Sequence, residues 1–141
     1  MEEPIKLGID LGSENLKAVL VHGNETRELG PYRLAGKSLP RLLELAESLL
    51  CELGPGAEVL LGITGSGSEF LVSLLDMEMI SEPQALASAF EALASGFRQV
   101  VEIGAQTQKF LSLTRDETSG RFFVDDVIPG GKCAGGTGSF L

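Results

Sequence analysis

Short, largely apolar stretches separated by turn residues fill the first part of the chain. They predict three strands, at residues 5–11, 16–21 and 26–34. Because only a brief turn at Gly12 and Ser13 separates the first two, we predict that they pair as a hairpin.

A leucine-rich segment follows the third predicted strand. Over residues 40–53 the leucines recur at helical spacing, and the Gly-Pro-Gly sequence at 54–56 ends the pattern. Proline is favoured in the first turn of a helix, and serine is favoured as the cap. We therefore predict a helix with Ser38 as its N-cap and Pro40 in its first turn.

The rest of the chain returns to short apolar runs. A strand at residues 58–64 leads into a glycine- and serine-rich turn, and a compact helix follows at residues 70–75. A further helix begins near Glu82 and is predicted to direct four residues toward a core, namely Leu86, Ala89, Phe90 and Leu93. Three more strands are predicted, at residues 100–103, 109–114 and 122–127.

This order of elements predicts an α/β fold made of two similar lobes, because each lobe would start with three consecutive strands. Residues 1–96 would form the first lobe, a mixed sheet flanked by helices, and residues 97–141 the first strands of a truncated second lobe. Since no helix follows those strands, we expect the second sheet to lack a helix on its apolar face. The chain is therefore expected to be a fragment of a longer protein.

Composition narrows the functional classes. The chain has 141 residues, 43% of them hydrophobic, which suits one globular domain. Its formal charge of −9, without a basic stripe, argues against nucleic-acid binding. Apolar runs are short and the N-terminus is acidic, so neither a membrane span nor a signal peptide is predicted. We expect a soluble cytoplasmic protein.

An aspartate stands at the end of the first predicted strand, in the sequence Leu-Gly-Ile-Asp-Leu-Gly-Ser at residues 7–13. A carboxylate such as Asp10 can hold a Mg²⁺-bound water near a phosphate, while Gly12 and Ser13 offer N–H and hydroxyl donors. This stretch resembles the first phosphate motif of the actin, Hsp70 and sugar-kinase superfamily, whose fold is ribonuclease H-like. Taken alone, a plain hairpin turn remains the alternative.

A second stretch, Val-Glu-Ile-Gly-Ala-Gln at residues 101–106, stands where the second lobe's first hairpin would turn. Together with Lys109 it resembles the second phosphate motif of the same superfamily. Two such motifs in the expected order favour this superfamily over a chance match to either one.

The most specific string is Gly-Lys-Cys-Ala-Gly-Gly-Thr-Gly-Ser-Phe-Leu at residues 131–141. It resembles a segment of the BadF/BadG/BcrA/BcrD ATPase family, the activators of 2-hydroxyacyl-CoA dehydratases and the ATPase subunits of benzoyl-CoA reductases. Residues 64–68 and 81–87 resemble two further segments of this family, so that the resemblance spans nearly the whole chain.

The resemblance implies an ATP-driven electron donor of anaerobic metabolism. Such a protein is a homodimer that holds one [4Fe–4S] cluster between its subunits and serves an acyl-CoA dehydratase or reductase. Cys133 matches the first of the two cysteines that each subunit supplies, and the second would lie beyond Leu141. Cys51 is no substitute, because we predict it to be a semi-buried residue of the leucine-rich helix.

The resemblance also assigns roles to individual residues. Asp10 would position Mg²⁺, Glu82 would activate water, and Cys133 would bind iron. The predicted contacts to ATP are Gly12, Ser13, Glu14, Asn15, Lys17, Gly104, Ala105, Gln106, Lys109, Gly135 and Gly136.

Several residues depart from the family pattern. Glu102, Ala105 and Thr107 stand where the family has aspartate, glycine and aspartate, which favours weakened or lost hydrolysis. Two alternatives therefore stay open: a sugar- or metabolite-kinase-like ATPase without a cluster, and a degenerate, non-catalytic regulatory module of a larger activase. In every case we expect this chain to be inactive as an ATPase by itself.

Overall fold

The structure is a computed structural model that describes residues 4–93, 96–104 and 108–130. Every element predicted from the sequence is present, with bounds that differ by no more than two residues. The elements are β1 (Ile5–Leu11), β2 (Asn15–His22), β3 (Glu25–Arg33), α1 (Ser38–Leu53), β4 (Val59–Thr64), α2 (Glu69–Leu75), α3 (Glu82–Ala92), β5 (Gln99–Ile103), β6 (Gln108–Arg115) and β7 (Phe122–Pro129).

The chain divides into two compact units, Met1–Met79 and Ile80–Leu141. The first unit contains a four-stranded sheet in the order β3-β2-β1-β4. Strand β1 pairs antiparallel with β2, as predicted for the hairpin, and parallel with β4 on its other side. The carboxyl ends of β1 and β4 therefore lie side by side at one edge of the sheet.

One face of this sheet carries the core of the first unit. Leu42, Leu45 and Leu49 of α1 are buried in one cluster with Ile9 of β1 and Ile63 of β4. These leucines recur at positions i, i+3 and i+7, so that one face of the helix supplies all three. Helix α1 thus covers one face of the sheet, in agreement with the predicted mixed sheet flanked by helices.

Some details of this helix were predicted wrongly. The leucine-rich segment buries only some of its leucines, because Leu43 and Leu50 are exposed. On β4 the core residue is Ile63, whereas Leu61 is exposed. The N-cap is Lys37, and the residue predicted for that role, Ser38, is the first residue of the helix. Leucine spacing alone cannot tell which edge of a broad apolar stripe faces the sheet.

The second unit contains an antiparallel sheet in the order β5-β6-β7, and α3 packs against it. Ala87 of α3 is buried with Leu113 of β6 and Phe122 of β7. The expectation that this sheet lacks a helix was therefore wrong, because the covering helix precedes the sheet in the chain. The predicted inward stripe was also wrong in part, since Ala89 of α3 and Leu93 just after it are exposed.

The boundary between the two compact units falls at residues 79 and 80, whereas the boundary between the two lobes was predicted at residues 96 and 97. The division into lobes stays a prediction. Among the described residues, none of the helices is long and apolar enough to cross a membrane.

Candidate functional site

A row of three polar side chains crosses the first sheet on the face opposite the core. Asp10 of β1 pairs in register with Lys17 of β2 and with Thr64 of β4. Residues in register on neighbouring strands point to the same face of a sheet. The adjacent position on each strand belongs to the opposite, buried face, as Ile9 and Ile63 illustrate. The row therefore places a cation, a carboxylate and a hydroxyl next to one another.

The carboxylate at the centre of this row forms an ion pair. Lys17 Nζ lies 3.3 Å from Asp10 Oδ2, and the two side chains are 61% and 40% exposed. Exposed pairs of this kind contribute little to stability, because water screens the attraction. Asp10 is accordingly accessible to a ligand and can exchange Lys17 for another partner at little cost.

The turn that follows Asp10 brings together four of the residues predicted to bind phosphate. The Gly12 N–H donates to the Asn15 carbonyl at 3.0 Å, which closes the turn. From the other side, the Leu34 N–H donates to the Glu14 carbonyl at 2.8 Å and fixes the turn to the chain beyond β3. Gly12, Ser13, Glu14 and Asn15 are half-buried and directly follow the β1 strand end.

A second loop, at residues 65–68, packs tightly onto the end of β1. The Gly67 N–H donates to the Leu11 carbonyl at 2.8 Å, and the buried Ser68 hydroxyl donates to the Gly65 carbonyl at 2.6 Å. Gly65 has a φ of +101°, and a Cβ there would lie 2.5 Å from Leu11 O and 2.7 Å from Asp10 Oδ1. Only glycine satisfies both the backbone angle and this close approach.

Thr64 and Gly65 were not among the predicted site residues. A signal for them exists in the sequence, since a Thr-Gly pair ends the apolar run at 58–64 and belongs to a stretch of family resemblance. What the sequence does not give is the parallel pairing of β4 with β1, which sets Thr64 beside Asp10.

In the second unit, Lys109 lies between two carboxylates. It forms an ion pair with Glu82 in the first turn of α3, and its Nζ lies 3.7 Å from Glu102 Oε2 on β5. Glu102 and Lys109 are cross-strand partners. The predicted water-activating residue and a predicted phosphate contact are thus brought together, although their proposed roles in catalysis and binding stay predictions.

Other predicted site residues lie outside the described part of the chain. They are Ala105, Gln106, Cys133, Gly135 and Gly136. Gly104 is described and directly follows β5. Cys51 was predicted to be semi-buried, which is wrong: it is a free, exposed cysteine on α1.

The residues around Asp10 suit a magnesium–nucleotide complex. Within the described ranges, no three His, Cys, Asp or Glu side chains converge on one point to form a metal cage. Mg²⁺ in nucleotide sites keeps most of its waters and needs only one or two carboxylates beside the phosphates. Gly8, two residues before Asp10 on the same strand, carries no side chain over the polar row, and a Cβ there would meet only Val19 O, at 4.0 Å. Asp10 thus has both the chemistry and the accessibility that such a ligand requires.

Comparisons with known proteins add evidence on the fold. Neither a scan of protein-family models nor a search of curated proteins gives a match. Solved structures do match. Component A of (R)-2-hydroxyglutaryl-CoA dehydratase from Acidaminococcus fermentans is 23% identical with a TM-score of 0.64, and the match covers 98% of this chain and 51% of that one.

Two further structures are similar. The activator of 2-hydroxyisocaproyl-CoA dehydratase from Clostridium difficile, solved with bound ADPNP, is 22% identical with a TM-score of 0.61, covering 92% of this chain and 47% of that one. The ethanolamine utilization protein EutJ from Carboxydothermus hydrogenoformans is 16% identical with a TM-score of 0.53, covering 94% and 53%. This chain spans about half the length of each of the three proteins. The fold predicted from the sequence is therefore confirmed: the chain has the fold of the actin-like ATPases.

Proposed function

We propose that the polar row and the turn after β1 bind the phosphates and Mg²⁺ of ATP. The observation that carries this proposal is the position of Asp10, an accessible carboxylate at the carboxyl ends of two parallel strands. Next to it is Gly65, where a Cβ would collide with the Leu11 carbonyl and the Asp10 carboxylate. Ligands of α/β sheets bind beyond the carboxyl ends of the strands.

Each group in the site has a part in this binding. When bound, Mg²⁺ neutralises phosphate charge and orients the terminal phosphate. Asp10 would hold the waters of the ion, and Lys17, which pairs with Asp10 in this structure, would pair with a phosphate oxygen instead. The Ser13 hydroxyl, the Asn15 side-chain amide and the backbone N–H groups of Ser13 and Glu14 would supply hydrogen-bond donors to the other phosphate oxygens, and Gly12 shapes the turn that presents them.

Beyond this binding site, we propose that the chain is the N-terminal, ATP-binding part of an acyl-CoA dehydratase activase. Two observations support this: the Cys133 string, and the structural similarity to two proteins whose names describe an activator and a component of such dehydratases. In the intact protein, a cytoplasmic homodimer, Cys133 of each subunit would bind a shared [4Fe–4S] cluster. ATP hydrolysis would then drive electron transfer to the acyl-CoA dehydratase or reductase.

The magnesium–nucleotide proposal is tested by titrating the chain with ATP, with and without Mg²⁺, and following backbone amides by NMR. We expect Mg²⁺-dependent binding weaker than micromolar, because a nucleotide held by its phosphates buries little of its adenine. Asp10→Asn should abolish the Mg²⁺-dependent part and leave folding unchanged. Asp126→Asn, an exposed carboxylate on β7, is the matched control. Equal binding by parent and Asp10→Asn refutes the assignment.

The activase proposal needs a longer protein that contains this chain, prepared without oxygen. We expect about one cluster per dimer, which requires four thiolates from two subunits. Cys133→Ser should lose the iron, whereas Cys51→Ser, on the exposed surface of α1, should keep it. Iron retained by Cys133→Ser contradicts the ligand assignment. Nucleotide binding by an iron-free parent protein would favour the kinase-like alternative instead.

A further inference from the structure

The Thr64 hydroxyl, at the carboxyl end of β4, is a buried polar group. Its Oγ1 atom is shielded from solvent and has no hydrogen-bond partner among the described residues. A hydroxyl loses its hydrogen bonds to water on burial, and without a replacement it destabilises the folded state. Valine has nearly the same shape without this penalty, so packing alone gives no reason for threonine at position 64.

The surroundings of Thr64 supply a reason. Its register partner is Asp10, on the same face of the neighbouring parallel strand. Asp10 turns one carboxylate oxygen, Oδ2, toward Lys17, and its other oxygen, Oδ1, lies toward Gly65, the residue that follows Thr64. The residue beside Thr64 on the neighbouring strand is therefore Asp10, whose carboxylate can accept a hydrogen bond and is the group proposed to hold Mg²⁺.

The backbone around Thr64 keeps this arrangement in place. The Gly67 N–H donates to the Leu11 carbonyl, and the Ser68 hydroxyl donates to the Gly65 carbonyl. Both bonds fasten the loop after Thr64 to the end of β1. Because neighbouring strands lie about 4.8 Å apart, the Thr64 side chain stands directly beside that of its register partner Asp10.

We propose that Thr64 is a positioning residue for Asp10, an inference that rests on the proposed magnesium–nucleotide site. When the nucleotide draws Lys17 to a phosphate, the Thr64 hydroxyl donates to Asp10 Oδ1. This bond takes the place of the ion pair with Lys17 and holds the carboxylate with Oδ2 toward the metal-bound waters. Thr64 acts through Asp10 and touches neither the metal nor the phosphates.

The test compares Thr64→Val and Thr64→Ser with the parent chain. NMR titrations with ATP are run in Mg²⁺ and in EDTA, and urea unfolding is measured without ligand. Thr26→Val is the matched control, because Thr26 is an exposed threonine on the outer strand of the same sheet.

We expect Thr64→Val to bind Mg²⁺-ATP about ten- to a hundred-fold more weakly than the parent, the size of one hydrogen bond to a charged group. Its binding of ATP in EDTA should not change. Thr64→Ser should restore most of the affinity, and Thr26→Val should match the parent. The urea midpoint of Thr64→Val should equal or exceed the parent value, because the variant removes an unsatisfied group.

Two results overturn the inference while leaving the proposed site intact: unchanged Mg²⁺-ATP affinity in Thr64→Val, or a lower urea midpoint, which would make the hydroxyl a structural group. A parent chain that does not bind Mg²⁺-ATP refutes the proposed site, and the positioning role is refuted with it.

Discussion

Two neighbouring leucines of α1 provide a direct test of how the first unit is built. Leu49 is 7% exposed and packs in the core, whereas Leu50 is 66% exposed. Replacing either with alanine makes the same chemical change on the same helix, so that the effect on helix propensity cancels. The difference between the two variants therefore reports the packing of α1 on the sheet.

The expected magnitude follows from burial. Leu49→Ala removes three carbon groups from the core, at about 0.8 kcal/mol for each buried group, and the cavity left behind adds to this cost. We expect a loss of about 2–5 kcal/mol in the free energy of unfolding. Leu50→Ala removes mostly solvated surface and should change that free energy by less than about 0.5 kcal/mol.

The assay is urea unfolding followed by circular dichroism, with the slope of the transition compared across the variants. Equal effects of the two substitutions, or a loss below about 0.5 kcal/mol for Leu49→Ala, would refute the assigned packing face.

Two further predictions concern the loop at residues 65–68 and the pH dependence of stability. Gly65→Ala should destabilise the chain by more than Gly36→Ala, because both glycines have a positive φ but only position 65 lacks space for a Cβ; urea unfolding compares the two, and equal losses would contradict the close approach. The hydrogen bond from Arg27 lowers the pKa of the Glu52 carboxyl below its ordinary value of 4.5. The contribution of this pair to the stability of the fold is therefore present above pH 4.5 and is lost as the pH falls through the lowered pKa. An NMR titration should find this lowered midpoint, and Arg27→Gln should return it toward 4.5; a midpoint that does not move with Arg27→Gln would contradict the pairing.

The sequence predicted the fold well because its strands and helices have strong, short-range patterns. The aspartate at the end of β1 and the turn after it were recognisable from the residues themselves, and the structure keeps Asp10 next to Gly12 and Ser13. Strand order could be expected only through the family resemblance, since the parallel pairing of β1 with β4 joins residues more than fifty positions apart.

Other features depended on packing that a linear pattern does not encode. The role of α3 was missed because its one buried residue, Ala87, is too small to stand out in a hydrophobic pattern. Thr64 was missed because its significance lies in an unsatisfied hydroxyl and in its neighbour across the sheet. The ion pair of Lys109 with Glu82 likewise joins a strand to a helix far away in the chain.

The claim that the polar row is a magnesium–nucleotide site is tested most directly with Mn²⁺-ATP, because Mn²⁺ occupies oxygen sites like those of Mg²⁺ and broadens the NMR signals of nearby amides. We expect the amides of residues 10–15 and 64–65 to broaden first, and we expect Asp10→Asn to remove the effect. Broadening that begins elsewhere, for example at the acidic turn around Asp116, or that persists in Asp10→Asn, would contradict this claim.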